Sequence, residues 1–422
     1  MGPKVIIALI SGILFVIALF AKPKIGAALV LVSRPILDNL TFLQTTYLAG
    51  SINVLQALGI VLAFSLILVC FFKSSEMFRH KEANIYLLFI FLCLPSVFLS
   101  QSISEAFADW MKLFTLWAVL VFLLAFIKTK KDIHMFLIVI LIASFYPLFR
   151  LTIGFVMNQT TYINGYNRYI GGYFHMGPIS FMLLLFIPAY IYLFEQSKNL
   201  TLKFFCLSGI IYIAICIYFT YYRSALVGVT TLGMSYLTVR KRYITLLSML
   251  IIILFAFLVS DFLTTRFGPL LEMLPNLKYL FDPLNTKHDY LLSGRFGVWR
   301  HIFTQYLFAA KPYNMIFGFG YNVAVGDYLI IPHNDYLNFF FQNGFVAMAT
   351  FIIFMFISMR NGFAAIRSPS GAALLCALIA SSVTALTSNY FVSVRVGLYV
   401  GAYVAILKKL IILENDAEAS PQ

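Results

Sequence analysis

Apolar residues run along this chain in long blocks separated by short polar breaks, and the blocks recur from one end to the other. A hydrocarbon core of about 30 Å takes roughly 20 apolar residues in a helix. Blocks of that kind lie at about Ser51 to Phe72, Asn84 to Ser100, Phe107 to Ile127, Ile133 to Phe149, His175 to Phe194, Lys203 to Tyr222, Ser224 to Thr238, Tyr243 to Ser260, Tyr336 to Ser358, Gly371 to Ser388 and Phe391 to Leu413. Residues 5–45 hold further apolar material broken by Lys22, Pro23, Lys24, Arg34 and Pro35, which reads as one kinked span or two short ones. The pattern predicts an all-α polytopic integral membrane protein with about 12 or 13 transmembrane helices. Lys4 ahead of an apolar run imitates a signal peptide, but Lys22 and Lys24 follow without a small-x-small cleavage site, so an uncleaved first helix is expected.

The polar breaks set orientation. Lys73, Arg79 and Lys81; Lys128, Lys130 and Lys131; Lys198 and Lys203; Arg240, Lys241 and Arg242; Arg360 and Arg367; and Lys408 and Lys409 fall in every second loop. The positive-inside rule makes those loops cytoplasmic. Two of the outward loops are long, about Arg150 to Phe174 and about Asp261 to His333, and the second carries Trp, Phe, Tyr and Leu at helical spacing. It is expected to be partly helical and to fold against the membrane. The expected organisation is an N-terminal bundle over 1–260 that includes the outer loop 150–174, the large outer loop 261–333, C-terminal spans over 334–413, and a short acidic cytoplasmic tail at 414–422.

Composition narrows the class. With 61% hydrophobic and 11% charged residues and a mean hydropathy of +0.91, the chain is no ordinary soluble enzyme. Its formal charge of +14 resides in short loops rather than in a basic patch, so it speaks for membrane topology and not for nucleic acid. The five cysteines lie in apolar stretches without Cys-x-x-Cys spacing, so neither a disulfide framework nor a zinc site is expected.

The outer half is rich in arginine: Arg150, Arg168, Arg223, Arg266, Arg295, Arg300 and Arg395. Snorkelling at helix ends accounts for any one of them. As a set, they suggest a phosphate ligand, because the planar guanidinium holds two oxygens at once and stays charged in low dielectric. Arg223 sits in Tyr221-Tyr222-Arg223-Ser224 between two apolar runs with no polar linker, and an ionisable group at such depth is a functional hypothesis. In Ser293-Gly294-Arg295-Phe296-Gly297-Val298-Trp299-Arg300, a helix starting after Gly294 puts Arg295 and Trp299 on one face and turns Arg300 away by ~140°. Phe296, Trp299, Phe303 and Tyr306 form an amphipathic stripe suited to the bilayer surface.

A third cluster, Pro332-His333-Asn334-Asp335-Tyr336, immediately precedes a span. It reads either as a helix cap, with Asn334 capping and Asp335 favouring the dipole, or as a site for general-base chemistry by His333. Upstream, Gly318, Gly320 and Gly326 make a turn-rich approach that is weak evidence for a nucleotide site. Tyr162, Tyr166, Tyr169 and Tyr173 recur around Arg168 and suit either sugar stacking or an interfacial aromatic belt. There is no Walker lysine, no Asp-x-Asp, no glycosidase-like carboxylate pair on the outer face, and no Ser-x-x-Lys or Gly-x-Ser-x-Gly nucleophile.

Taken together, Arg223-Ser224, Gly294-Arg295 with Trp299, the Gly-Phe-Gly turn at Gly318 to Gly320, and His333-Asn334 with Tyr336, Leu337 and Gly344 resemble the O-antigen ligase and O-antigen polymerase family over about residues 160–360. The resemblance implies a C-type, metal-independent, inverting glycosyltransferase of the bacterial inner membrane that needs no cofactor. Such enzymes pass a glycan from undecaprenyl pyrophosphate to an acceptor hydroxyl on the periplasmic face. By that similarity Arg223 and Arg295 hold the pyrophosphate and His333 helps deprotonate the acceptor. The outer-face residues themselves add Arg168, Arg300, Trp299, Asp335, Tyr166 and Tyr169 as expected substrate-binding residues. The acceptor is either another lipid-linked glycan, as in a polymerase, or lipid A-core, as in a ligase. Many ligases carry a second histidine just before the His-Asn, where this chain has Ile331 and Pro332, which favours the polymerase. Membrane lipids and a chain-length regulator or other assembly proteins are the expected partners. A lipid-linked glycan transporter is the alternative from another class. It would call for mid-membrane charges in several spans and an internal repeat, whereas Lys112 and Arg395 are the strong candidates for charges well inside spans.

Overall fold

A computed structural model describes residues 3–40, 43, 45–49, 52–74, 76–163, 166–173, 176–259, 295–307, 311–321, 324–325, 328–329, 332–391 and 393–419. Arg266, His175, Ser293, Gly294, Gly326, Ile331 and the part of the large loop before Arg295 lie outside the described residues. The helices are α1 (Pro3–Ala21), α2 (Pro23–Asn39), α3 (Val54–Lys73), α4 (Lys81–Leu92), α5 (Leu94–Phe98), α6 (Ile103–Phe126), α7 (Lys130–Val156), α8 (Met176–Gln196), α9 (Leu200–Phe219), α10 (Arg223–Val239), α11 (Tyr243–Val259), α12 (Arg295–His301), α13 (Pro312–Phe317), α14 (Asp335–Ala364), α15 (Pro369–Ala385) and α16 (Val394–Ala419). A π-helical turn, Ile302–Leu307, continues α12. Three two-stranded antiparallel hairpins, Tyr47–Ala49 with Ile52–Asn53, Thr161–Ile163 with Tyr166–Arg168, and Ala324–Val325 with Tyr328–Leu329, decorate an otherwise helical membrane protein.

Among the described residues eight helical stretches are long and apolar enough to cross a membrane: α3, α4 with α5, α6, α7, α8, α9, α14 and α16. The other expected spans correspond to α1 with 19 residues and to α2, α10, α11 and α15 with 17 each. The apolar material before residue 45 thus forms two helices broken at Lys22. Helices α6, α8 and α16 are buried along most of their length, and α6 lies along α16. The close approach depends on a missing side chain, since a Cβ on Gly401 would lie 2.6 Å from the Leu116 carbonyl oxygen. By contrast, α9 exposes Phe204, Leu207, Ile211 and Ile215, a stripe at helical spacing suited to lipid.

Three of the lysine-bearing loops meet at one end of the bundle, together with Lys24. Lys24 pairs with Asp132 at 2.5 Å, Lys128 and Lys409 reach Glu76 at 2.8 and 3.4 Å, and Lys408 reaches Glu82 at 3.0 Å. Glu82 is buried and also accepts from Asn361 Nδ2 at 2.6 Å.

The opposite end is held by turns inserted into helix breaks. Helix α14 opens at Gly344 (φ 82°, ψ 173°), which frees the Phe341 and Gln342 carbonyls to accept from Phe319 N at 2.9 Å and Gly320 N at 3.1 Å. The same turn is tied to α5, because Ser96 Oγ donates to the Phe317 carbonyl at 2.9 Å and Tyr321 N donates to Ser100 Oγ at 2.7 Å. Ile302 and Phe341 form a small core here with Val298, Phe319 and Leu337. The aromatic stripe expected on the bilayer surface packs otherwise: Phe296 is fully buried inside the protein and Trp299 is half-buried. Inward packing wins because α14 and the Gly318–Gly320 turn offer a ready apolar surface.

A Cβ on Gly344 would lie 2.0 Å from the Ile316 carbonyl oxygen, in a backbone region that L side chains rarely adopt. Gly344→Ala is therefore expected to destabilise by about 1–3 kcal/mol from the backbone alone, and by more from the overlap. The check is the Tm of the detergent-purified protein, and an unchanged Tm would mean that α14 runs unbroken through this position.

Candidate functional site

The site is organised by the turn joining α15 to α16. Thr387 in that turn offers a carbonyl that accepts from Ser224 Oγ at 2.9 Å and from an Arg295 guanidinium nitrogen at 2.5 Å. It thus joins the start of α10 to the start of α12. The next residues, Tyr390 and Phe391, both donate their backbone N–H to Asp335 Oδ2 at 2.6 Å, so the first residue of α14 is fastened to the same turn. Tyr336 Oη donates to the Ser382 carbonyl at 3.2 Å and tightens the seam between α14 and α15.

Tyr222, the residue before α10, lies at the electrostatic centre of this corner: its hydroxyl is within charge reach of Arg295, Arg223 and Asp335 and within hydrogen-bond reach of Ser224. Its ring stands edge-on to Phe181 with centroids 5.2 Å apart. Burial pulls the Arg295 pKa below the ordinary arginine value, and the Tyr222 phenol works against that shift. Arg223 is half-buried at the first position of the 17-residue α10. A cation there opposes the helix dipole, a placement that favours a nearby anion.

His333 is exposed and has a left-handed backbone, with φ of 51°. That conformation costs about 1–2 kcal/mol in a residue with a Cβ. It is held from both sides. Trp299 Nε1 donates to the Pro332 carbonyl at 2.6 Å, and Asn334 caps α14 by accepting from Leu337 N at 3.0 Å. Through Trp299 the histidine is anchored to the same seven-residue helix that begins with Arg295.

The Thr161–Arg168 hairpin meets the corner from another side. Arg168 is almost completely buried and donates to the Tyr221 carbonyl at 3.4 Å, and Tyr169 N donates to the Phe219 carbonyl at 3.3 Å. Tyr169 Oη donates to Asn158 Oδ1 at 2.8 Å, and its ring packs edge-on against Phe155.

The structure therefore brings Arg295 and Ser224, the neighbour of Arg223, to one carbonyl, and ties the residue before His333 to the Arg295 helix through Trp299. Other residues expected to bind substrate have different surroundings. Asp335 is fully buried and its carboxylate serves the backbone of the 390–391 turn, because buried N–H groups there need an acceptor. These contacts suit the structural role that its place at the start of α14 also allowed. Arg300 and Arg168 are also buried, and Arg168 donates to a backbone carbonyl. Tyr166 lies in the hairpin strand, and its side chain lies outside the described residues.

Sequence reasoning missed Thr387, Tyr390 and Phe391, although the very short polar gap between two apolar runs at Thr387-Ser388-Asn389 was the available signal. The model of the O-antigen ligase family matches residues 208–352. No curated protein matches the chain. Over that segment the chain is similar to the O-antigen ligase family, which supports a glycosyltransferase-like ligase or polymerase role. It contains Arg223, Arg295, Trp299, His333 and Gly344, while Thr387 and the hairpin carrying Arg168 lie beyond it.

Asp335→Ala removes the acceptor for two buried N–H groups, each costing about 1–3 kcal/mol when left unpaired. Asp335→Asn retains an amide oxygen and is expected to lower the Tm less. Equal Tm values for both variants and the wild type would show that the carboxylate does not hold the turn.

Proposed function

We propose that this protein is a metal-independent, inverting glycosyltransferase of the bacterial inner membrane. It moves a glycan en bloc from undecaprenyl pyrophosphate to an acceptor hydroxyl on the periplasmic face, with its C-terminus in the cytoplasm. The observation that carries the reading is the joining of Ser224, next to Arg223, and Arg295 on one carbonyl, with His333 anchored through Trp299 beside them.

In the proposed reaction the acceptor oxygen attacks the anomeric carbon as the bond from that carbon to the pyrophosphate oxygen breaks. His333 takes the acceptor proton, and undecaprenyl pyrophosphate departs with its charge held by Arg223 and Arg295. In-line attack inverts the anomeric carbon. Cations fixed before the reaction supply the stabilisation that a metal would otherwise give, and α10 adds the positive end of its dipole.

The acceptor is proposed to be a second lipid-linked glycan, which makes the enzyme a repeat-unit polymerase of O-antigen or exopolysaccharide. The support is Ile331-Pro332 ahead of His333-Asn334, where many ligases carry a further histidine. Ligation to lipid A-core is the alternative. Reconstitution with lipid-linked oligosaccharide, with and without lipid A-core, distinguishes them: a ladder of products without core marks a polymerase, and product only with core marks a ligase. Turnover by the purified protein alone would exclude a transporter.

His333→Ala is expected to lower turnover by about 10² to 10⁴-fold with donor binding nearly unchanged. Normal turnover at saturating donor, with weakened donor binding, would make His333 a binding residue instead. Arg223→Lys is expected to lose most activity while the protein still accumulates in the membrane, since a point charge does not reproduce a bidentate grip. Near-normal turnover in that variant would assign Arg223 to snorkelling.

A further inference from the structure

A cavity of about 270 Å³ opens between α2, α3, α6 and the start of α16, and it shares no residue with the corner built on Thr387. Its polar lining includes Arg34, Lys112, Arg395, Asn53, Gln56 and Ser393. We propose that it is a second anion site, which holds the phosphate group of an amphiphile.

The charge arrangement is the first reason. Asp38 is fully buried and takes both neighbouring guanidinium groups, Arg34 at 3.0 Å and Arg395 Nε at 2.7 Å. Lys112 pairs with Asp109, three residues earlier on α6. Three cations therefore face two carboxylates, which leaves one positive charge over in a partly enclosed cavity. Asp38 engages Arg395 by its Nε edge and Arg34 by its Nε and one terminal nitrogen. The other terminal nitrogen of Arg34 lies toward Gly59 on the cavity wall, 3.7 Å from where a Cβ on that glycine would stand. One carboxylate thus orients two planar forks, the geometry that suits an anion with several oxygens.

Helix ends are the second reason. The 20-residue α3 and the 26-residue α16 both begin at the cavity, with Asn53 and Ser393 just ahead of them. Their dipoles add positive potential where the anion would sit. Ile60, Met111 and Val394 line the apolar side, so a phosphate with a hydrocarbon chain matches the wall as a free ion would not. None of these residues falls within 208–352.

The test is calorimetric titration of the purified protein in dodecyl maltoside with dodecyl phosphate and, separately, with inorganic phosphate. Lys112→Gln and Arg395→Gln are each expected to weaken one dodecyl phosphate binding event by about ten- to a hundredfold, the loss of one charged hydrogen-bond partner. Gly59→Phe keeps every charge, fills the cavity, and is expected to abolish that event. Should Arg395→Gln fail to fold, the part-exposed Lys112 and the uncharged Gly59 variants carry the test. Arg223→Lys is expected to leave the event intact. Dodecyl phosphate binding that survives all three cavity variants would overturn the proposal. So would an equal loss in Arg223→Lys, which would mean a single site at the Thr387 corner. Inorganic phosphate binding as tightly as dodecyl phosphate would overturn the amphiphile as occupant and assign the cavity to a free anion. Only binding is read, so the outcome is independent of whether glycan is transferred.

Discussion

A carboxylate without solvent contact, that of Asp335, holds two backbone N–H groups where the chain passes from α15 to α16. At membrane depth a backbone polar group left without a partner costs several kcal/mol, so a helix-to-helix turn there needs an internal acceptor. The rest of the outer face depends on that fastening. Thr387, just before the fastened residues, receives Ser224 and Arg295; Ser393 and Arg395, just after them, form part of the wall of the cationic cavity. One buried carboxyl group thereby fastens the turn that lies between two separate groups of cations.

The two ends of the bundle treat charge in different ways. At one end lysines meet glutamates and aspartates in ion pairs, several of them partly exposed, and such pairs add little stability individually. At the other end arginines meet backbone carbonyls, as with Arg295 and Arg168, or share a single carboxylate, as with Arg34 and Arg395. A carbonyl acceptor orients a guanidinium without cancelling its charge. Arg295 is thus oriented in a half-buried setting without a carboxylate opposite it, which suits the anionic leaving group proposed above.

Much of the helix layout was legible in the sequence, because twenty-residue apolar blocks and loop lysines act over short distances. Lys22-Pro23-Lys24 did not reveal whether the first apolar material makes one helix or two, since proline is tolerated both at a helix start and at a kink. Arg223, Arg295, Trp299 and His333 were legible as candidates, and the family match at 208–352 agrees with that segment. Their common anchor was not, because Thr387 acts through its carbonyl, which every residue possesses. The bonds that Asp335 makes were not legible for a related reason: a carboxylate two residues from a histidine suggests chemistry, and its burial against a turn more than fifty residues later leaves no periodic trace. The Gly318–Gly320 turn looked like a weak ligand loop and proved to be a plug for the helix break at Gly344, a pairing between distant glycines that local patterning does not encode.

The dependence on Thr387 also orders events during synthesis. Ser224 and Arg295 emerge 163 and 92 residues before the carbonyl that receives them. Through the insertion of most of the bundle, the start of α10 and the start of α12 have no common tether, and a chain halted after α14 would hold every residue of the matched segment without the means to join them. Assembly of the outer face therefore waits for the last hairpin of helices. Partly made chains, already lodged in the lipid, do not present a finished cluster of cations to the anions around them.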